Sequence, residues 1–158
     1  SKKKSSFTWP WKKDKKRGSE MCVVRDLTLN QHRKGHVLVC KVVEEVFGLP
    51  RAIVQDEEGY QTIFDYSLCL PHNNHFAFSE VRVGNTVELR DPLLQKMCDD
   101  QVGILCSDAS TVKVTVREWD DMERLRCAKE CRARGNIRFK EQRWNDCVPL
   151  YRTALMHL

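Results

Sequence analysis

The chain has 158 residues, 41% hydrophobic and 31% charged, enough for one packed domain, or one domain and part of another, under a well-solvated surface. Its net charge of +5 is carried largely by the N-terminal lysines, and the middle of the chain is close to balanced. No apolar run approaches the roughly 20 residues that cross a bilayer, and the basic start has no apolar run behind it, so neither a membrane span nor a secretory signal is predicted.

Residues 1–20 are rich in Lys, Ser and Asp and read as a basic disordered arm. Trp9 and Trp11 sit among Lys12, Lys13, Lys15 and Lys16, a combination that either docks on the following domain or stacks on bases beside phosphate-binding charges. Residues 21–117 read as β. Gly35 to Phe47 is β-branched and partly alternating, and Gly48-Leu49-Pro50 breaks it. Ala52–Asp56 and Tyr60–Asp65 flank Glu57-Glu58-Gly59 as a hairpin. An irregular segment, Tyr66 to Val83, follows. Thr86–Arg90 alternates cleanly until Asp91-Pro92 ends it, and Val102–Cys106 and Val112–Val116 complete the set. About five or six short strands with one longer insertion suggest a small closed or partly closed barrel. An oligonucleotide/oligosaccharide-binding (OB) type has this spacing, and so do other small barrels.

Residues 118–158 read as a helical hairpin, which makes the fold class α+β. Acidic Glu118, Asp120, Asp121 and Glu123 complement a helix start, and Met122, Leu125, Cys127, Ala128 and Cys131 recur at helical spacing to about Lys140. Glu141-Gln142-Arg143 makes the bend, and a second helix runs from Trp144 with Pro149 inside it. Gly135 removes a side chain where the second helix crosses.

The eight cysteines lie partly on apolar periodic faces, no export signal accompanies them, and free structural thiols are predicted. No closely spaced ligand pairs predict a metal site. Ser67 and Ser79 near His72 and His75 lack a nucleophile turn, the glycines are too dispersed to cradle phosphate, and the neighbours Asp99 and Asp100 make a poor catalytic pair. No catalytic residue and no cofactor are predicted, and the enzyme question stays open.

Gly135, Cys147, Tyr151 and Ala154 stand at a spacing that resembles the first unit of a tetratricopeptide repeat, over residues 128–158. The resemblance implies a surface for proteins or peptides. In repeats that hold the C-terminal carboxylate of heat-shock chaperones, a basic residue lies three positions before the glycine and an asparagine one after it. Here these are Arg132 and Asn136, four apart on one helical face; the alternative is a solvated Arg132 and an Asn136 bonded to local backbone. The order of modules over residues 22–158 resembles the region preceding the SET domain in lysine methyltransferases that carry such repeats. Any methyl transfer would belong to a later domain. One hairpin cannot bury its own apolar face, so it either packs on the barrel or belongs to a longer protein, and the longer protein is expected. The predicted function is a non-catalytic interaction module in an intracellular protein, cytoplasmic or nuclear. The alternative is a single-stranded RNA or DNA binder using Lys12, Lys13, Lys15, Lys16, Trp9 and Trp11, with Tyr60, Phe64 and Tyr66 sharing one strand face.

Overall fold

The computed structural model describes residues 19–72 and 78–158. The elements are β1 (Glu20–Cys22), β2 (His36–Glu45), β3 (Arg51–Gln55), β4 (Gln61–Asp65), β5 (Thr86–Arg90), β6 (Leu94–Lys96), β7 (Val102–Leu105), β8 (Val112–Thr115), α1 (Asp121–Lys140) and α2 (Trp144–Met156). The class is α+β. Eight strands form one mixed sheet in the order β6-β7-β4-β3-β2-β5-β8, with β1 laid parallel on the start of β2. β4 and β7 also run parallel, and the other ladders are antiparallel.

The period-two pattern of β2 explains its place at the centre. Leu38, Cys40 and Val42 project to one side and join Val54, Phe64, Val87, Leu89, Ile104 and Cys106 in a single core cluster. Residues from both halves of the strand path contribute to that cluster, so the sheet curls around it. Phe64 is fully buried in this core. Tyr66 lies beyond the strand and stacks on Phe78 with ring centroids 5.0 Å apart. Of the three aromatics placed on one face, Phe64 is core, Tyr66 packs on Phe78 and Tyr60 is half exposed.

The expected barrel is not closed. β6 and β8 are the two ends of the path, and among the described residues no ladder joins them. The link between β7 and β8 is bonded within itself. Its turn Ala109–Thr111 spends its polar groups on itself: Asp108 Oδ1 accepts from Ser110 N at 2.9 Å and from Ser110 Oγ at 2.7 Å, and Thr111 Oγ1 donates to Asp108 O at 2.7 Å. Backbone groups used this way cannot form a ladder. Two strands also lie outside the sequence reading. Glu20, expected in the arm, opens β1, and Leu94–Lys96 forms β6. With three residues each, neither shows a period.

The hairpin packs on the sheet, the arrangement less favoured from sequence. Cys127, Cys131 and Ala154 pack against Val83 and Trp119. Gly84 holds φ at +94°, and a Cβ there would stand 2.0 Å from the Trp119 ring, so the indole occupies the space a side chain would take. His157 covers the same ring at 4.9 Å, and the Arg117 guanidinium lies 4.2 Å from its centroid. Beside it, Asn85 Oδ1 accepts from Arg117 N at 2.9 Å. A β-bulge at Val43 bends the end of β2 toward α1, where Arg134 pairs with Glu44 at 2.6 Å. Thr153 of α2 meets Glu45 at 3.3 Å.

Gly84→Ala should lower unfolding free energy by about 2–4 kcal/mol, from left-handed strain and the displaced indole together. Trp119→Ala should cost a similar amount. In urea denaturation the double variant should lose clearly less than the two losses added, because both remove one contact.

Candidate functional site

α1 begins with a complete capping box. Asp120 Oδ1 accepts from Glu123 N at 2.7 Å, and Glu123 Oε2 accepts from Asp120 N at 3.2 Å. It ends in a Schellman-type turn, with Arg143 N donating to Arg138 O at 3.0 Å, Gln142 N donating to Phe139 O at 3.0 Å, and Gln142 at φ +60°. This turn reverses the chain into α2, which runs through Pro149 without stopping. Gly135 faces Tyr151: a Cβ there would come within 2.7 Å of the ring. The helices thus approach closely where the small residue stands.

Tyr151 Oη then donates to Asn136 Oδ1 at 2.8 Å. The bond fixes the amide of Asn136 and leaves its NH2 group turned to solvent, with no partner among the described residues. Arg132, one turn earlier, is exposed and makes no ion pair among the described residues. Asn136 is therefore held by the second helix rather than by local backbone. The sequence reading named this pair and missed its neighbours. Lys129 and Lys140 are also exposed, and the spacing 129, 132, 136, 140 places all four on one stripe of α1. Among the described residues neither lysine is paired with a carboxylate. Helical spacing alone was enough to find them.

The far side of the hairpin is apolar and open. Val148, Leu155 and Met156 are 40%, 71% and 52% exposed, and with Tyr151 and Arg152 they line a shallow apolar recess. At the turn, Phe139 and Trp144 meet edge to face at 4.8 Å, each about half exposed.

The remaining candidates for chemistry are structural. Arg51 is buried between two carboxylates, donating from Nε to Asp65 at 2.6 Å and from Nη1 to Asp99. Ser67 Oγ donates to Asp65 at 2.6 Å, so this hydroxyl is committed to the same cluster. Burial pushes the Asp65 carboxyl up, but the bonds from Ser67 and Arg51 outweigh it and hold the group below the usual carboxylate range. The bond from Arg51 holds Asp99 low as well. Asp99 thus faces Arg51 and forms no pair with Asp100. Asp56, also buried, accepts backbone N–H bonds from Val24, Glu58 and Tyr60 and ties the start of the sheet to the β3–β4 turn.

All eight cysteines are free, and Cys98 alone of them is exposed. Cys69 and Cys106 lie with their sulfurs 3.3 Å apart, and burial pushes the Cys69 thiol up to about 12, far from a reactive thiolate. Cys127 and Cys131 stand 4.0 Å apart inside the hairpin–sheet interface. Among the described residues no group of three or more His, Cys, Asp or Glu converges as for a metal ion, and no helix is long and apolar enough to cross a membrane. His75 and the arm residues Trp9, Trp11, Lys12, Lys13, Lys15 and Lys16 lie outside the described residues. Compared with models of known protein families and with curated protein sequences, the chain matches none.

Arg51→Met should cost about 3–5 kcal/mol at neutral pH, because it strands two carboxylates around an empty place. The depressed carboxylates of the unmutated protein contribute stability that is present above the ordinary carboxylate range and is lost as pH falls through it. Denaturant titrations from neutral pH down to about pH 2 should therefore show a steep loss for the unmutated protein and a flatter curve for the variant.

Proposed function

We propose that this chain is a non-catalytic interaction module whose hairpin is of tetratricopeptide type and recruits an acidic peptide segment ending in a free carboxylate. The carrying observation is the stripe Lys129, Arg132, Asn136 and Lys140. Among the described residues, three cations without carboxylate partners flank an amide whose donor end is left open by the Tyr151 bond. A terminal carboxylate accepts several hydrogen bonds at once, and a guanidinium next to an amide NH2 supplies donors for both of its oxygens. The lysines on either side add attraction for acidic side chains along the peptide, mainly as faster association and partner selection.

The open face of α2 supports the repeat reading. In stacked repeats each hairpin buries its outer apolar face under the next helix, and Val148, Leu155 and Met156 form such a face. Docking of the hairpin on the sheet supplies rigidity, which limits the ordering cost of binding. The order of modules, strands and then hairpin, favours recruitment on behalf of a SET-type lysine methyltransferase.

An acidic peptide with a free C-terminus should bind about fivefold more tightly than its amidated form in fluorescence anisotropy. Arg132→Ala should remove that difference while leaving the thermal midpoint within the error of the parent. Equal affinity for the two peptides in the unmutated chain would overturn the assignment of Arg132 and Asn136.

A further inference from the structure

The sheet leaves a cavity beside the β7–β8 link. About 510 Å³ opens between the end of β5, the β7–β8 link and the His32–Gly35 loop. This lies within the size range of small-molecule sites. Its floor is apolar: the half-buried Leu93, Leu105 and Val112 line the opening above Phe64, Leu89 and Ile104, which are closed off in the core cluster. Its rim is polar and carries both signs of charge. Lys34 and Arg90 are exposed there and make no ion pair among the described residues.

The rim carboxylates are placed differently. Asp91 Oδ1 accepts from Gly35 N at 2.7 Å, and Asp108 Oδ1 accepts from Ser110. In each case the second oxygen makes no bond among the described residues. These carboxylates are fixed acceptors and do not quench the cations by direct pairing. Asp91 also holds φ at +48°, an unfavourable backbone state for a residue with a side chain. His32 Nδ1 lies 3.1 Å from the carbonyl oxygen of the same residue.

We infer that this seam binds a nucleoside phosphate. A flat heteroaromatic base suits the apolar floor. Its amino or ribose hydroxyl groups are donors that suit the open carboxylate oxygens as acceptors. The phosphate suits Lys34 and Arg90, cations in contact with no counter-charge among the described residues. A plain polyanion does not account for the floor or the carboxylates, and an apolar ligand does not account for the cations. The same unit occurs as a free mononucleotide and within a single strand.

The test is calorimetric titration of the full chain with uridine and adenosine monophosphates, the two nucleosides, ribose 5-phosphate, and an oligouridylate of about ten nucleotides. A monophosphate should bind roughly tenfold more tightly than its nucleoside and than ribose 5-phosphate. Lys34→Ala with Arg90→Ala should bring the monophosphate to the level of the nucleoside. Ser107→Trp, which crowds the exposed rim without touching the core, should weaken both. Arg126→Ala, on the hairpin, should change neither. A higher affinity for the oligouridylate identifies a strand as the source, and a higher affinity for the monophosphate identifies a free nucleotide. The inference is overturned by absence of binding for every nucleotide, by ribose 5-phosphate binding as well as the monophosphates, or by full affinity in the Lys34 and Arg90 double variant.

Discussion

The indole of Trp119 seated against Gly84 is the contact on which the arrangement of this protein depends. The sheet can form without it, since its core cluster closes around Leu38, Val54, Phe64 and Val87 with no residue from the helices. The hairpin buries a smaller set, Ala128, Cys147 and Leu150 with Cys127, Cys131 and Ala154, and the last three pack against Val83 and Trp119 from outside the helices. A pair of helices of this size is marginal alone. What fixes it is a glycine with φ +94° that leaves an indole-sized space, with polar clasps from Arg134 to Glu44 and from Thr153 to Glu45.

This constraint assigns different roles to the two sides of the hairpin. The side carrying Cys127 and Cys131 is consumed by the sheet. The stripe of Lys129, Arg132, Asn136 and Lys140 and the apolar face of α2 are left to solvent, held in fixed relation by the Tyr151 bond across the helices. A binding surface on such a support loses less entropy on complex formation than one on a free hairpin. The sheet contributes a second, separate surface at the cavity beside the β7–β8 link.

Much of this was legible in the residues themselves. β2 to β5, β7, β8 and both helices follow from alternation, helical spacing and breakers such as Gly48-Leu49-Pro50 and Asp91-Pro92. That Arg132 and Asn136 share one helical face was legible from spacing, while their choice as a pair came from the resemblance to a repeat, and Lys129 and Lys140 could have been added from spacing. β1 and β6 were not, because three residues carry no period. The open seam was not, because alternation along single strands says nothing about whether the first and last strands of the path meet. Trp119 read only as the approach to a helix. Its role depends on Gly84, a turn glycine in a distant part of the chain, and single-residue preferences do not pair positions. Arg51, Asp65 and Asp99 were equally hidden: each reads as a surface charge until three separate segments bring them together.

Native-state hydrogen exchange measures the central claim most directly, because it resolves whether sheet and hairpin open together. If the Trp119 contact couples them, amides around Cys127 to Cys131 in α1 should share their opening free energy with amides around Val87 in β5, to within about 1 kcal/mol. Helix amides exchanging near the unprotected rate, while the β5 amides stay protected, would contradict a docked hairpin.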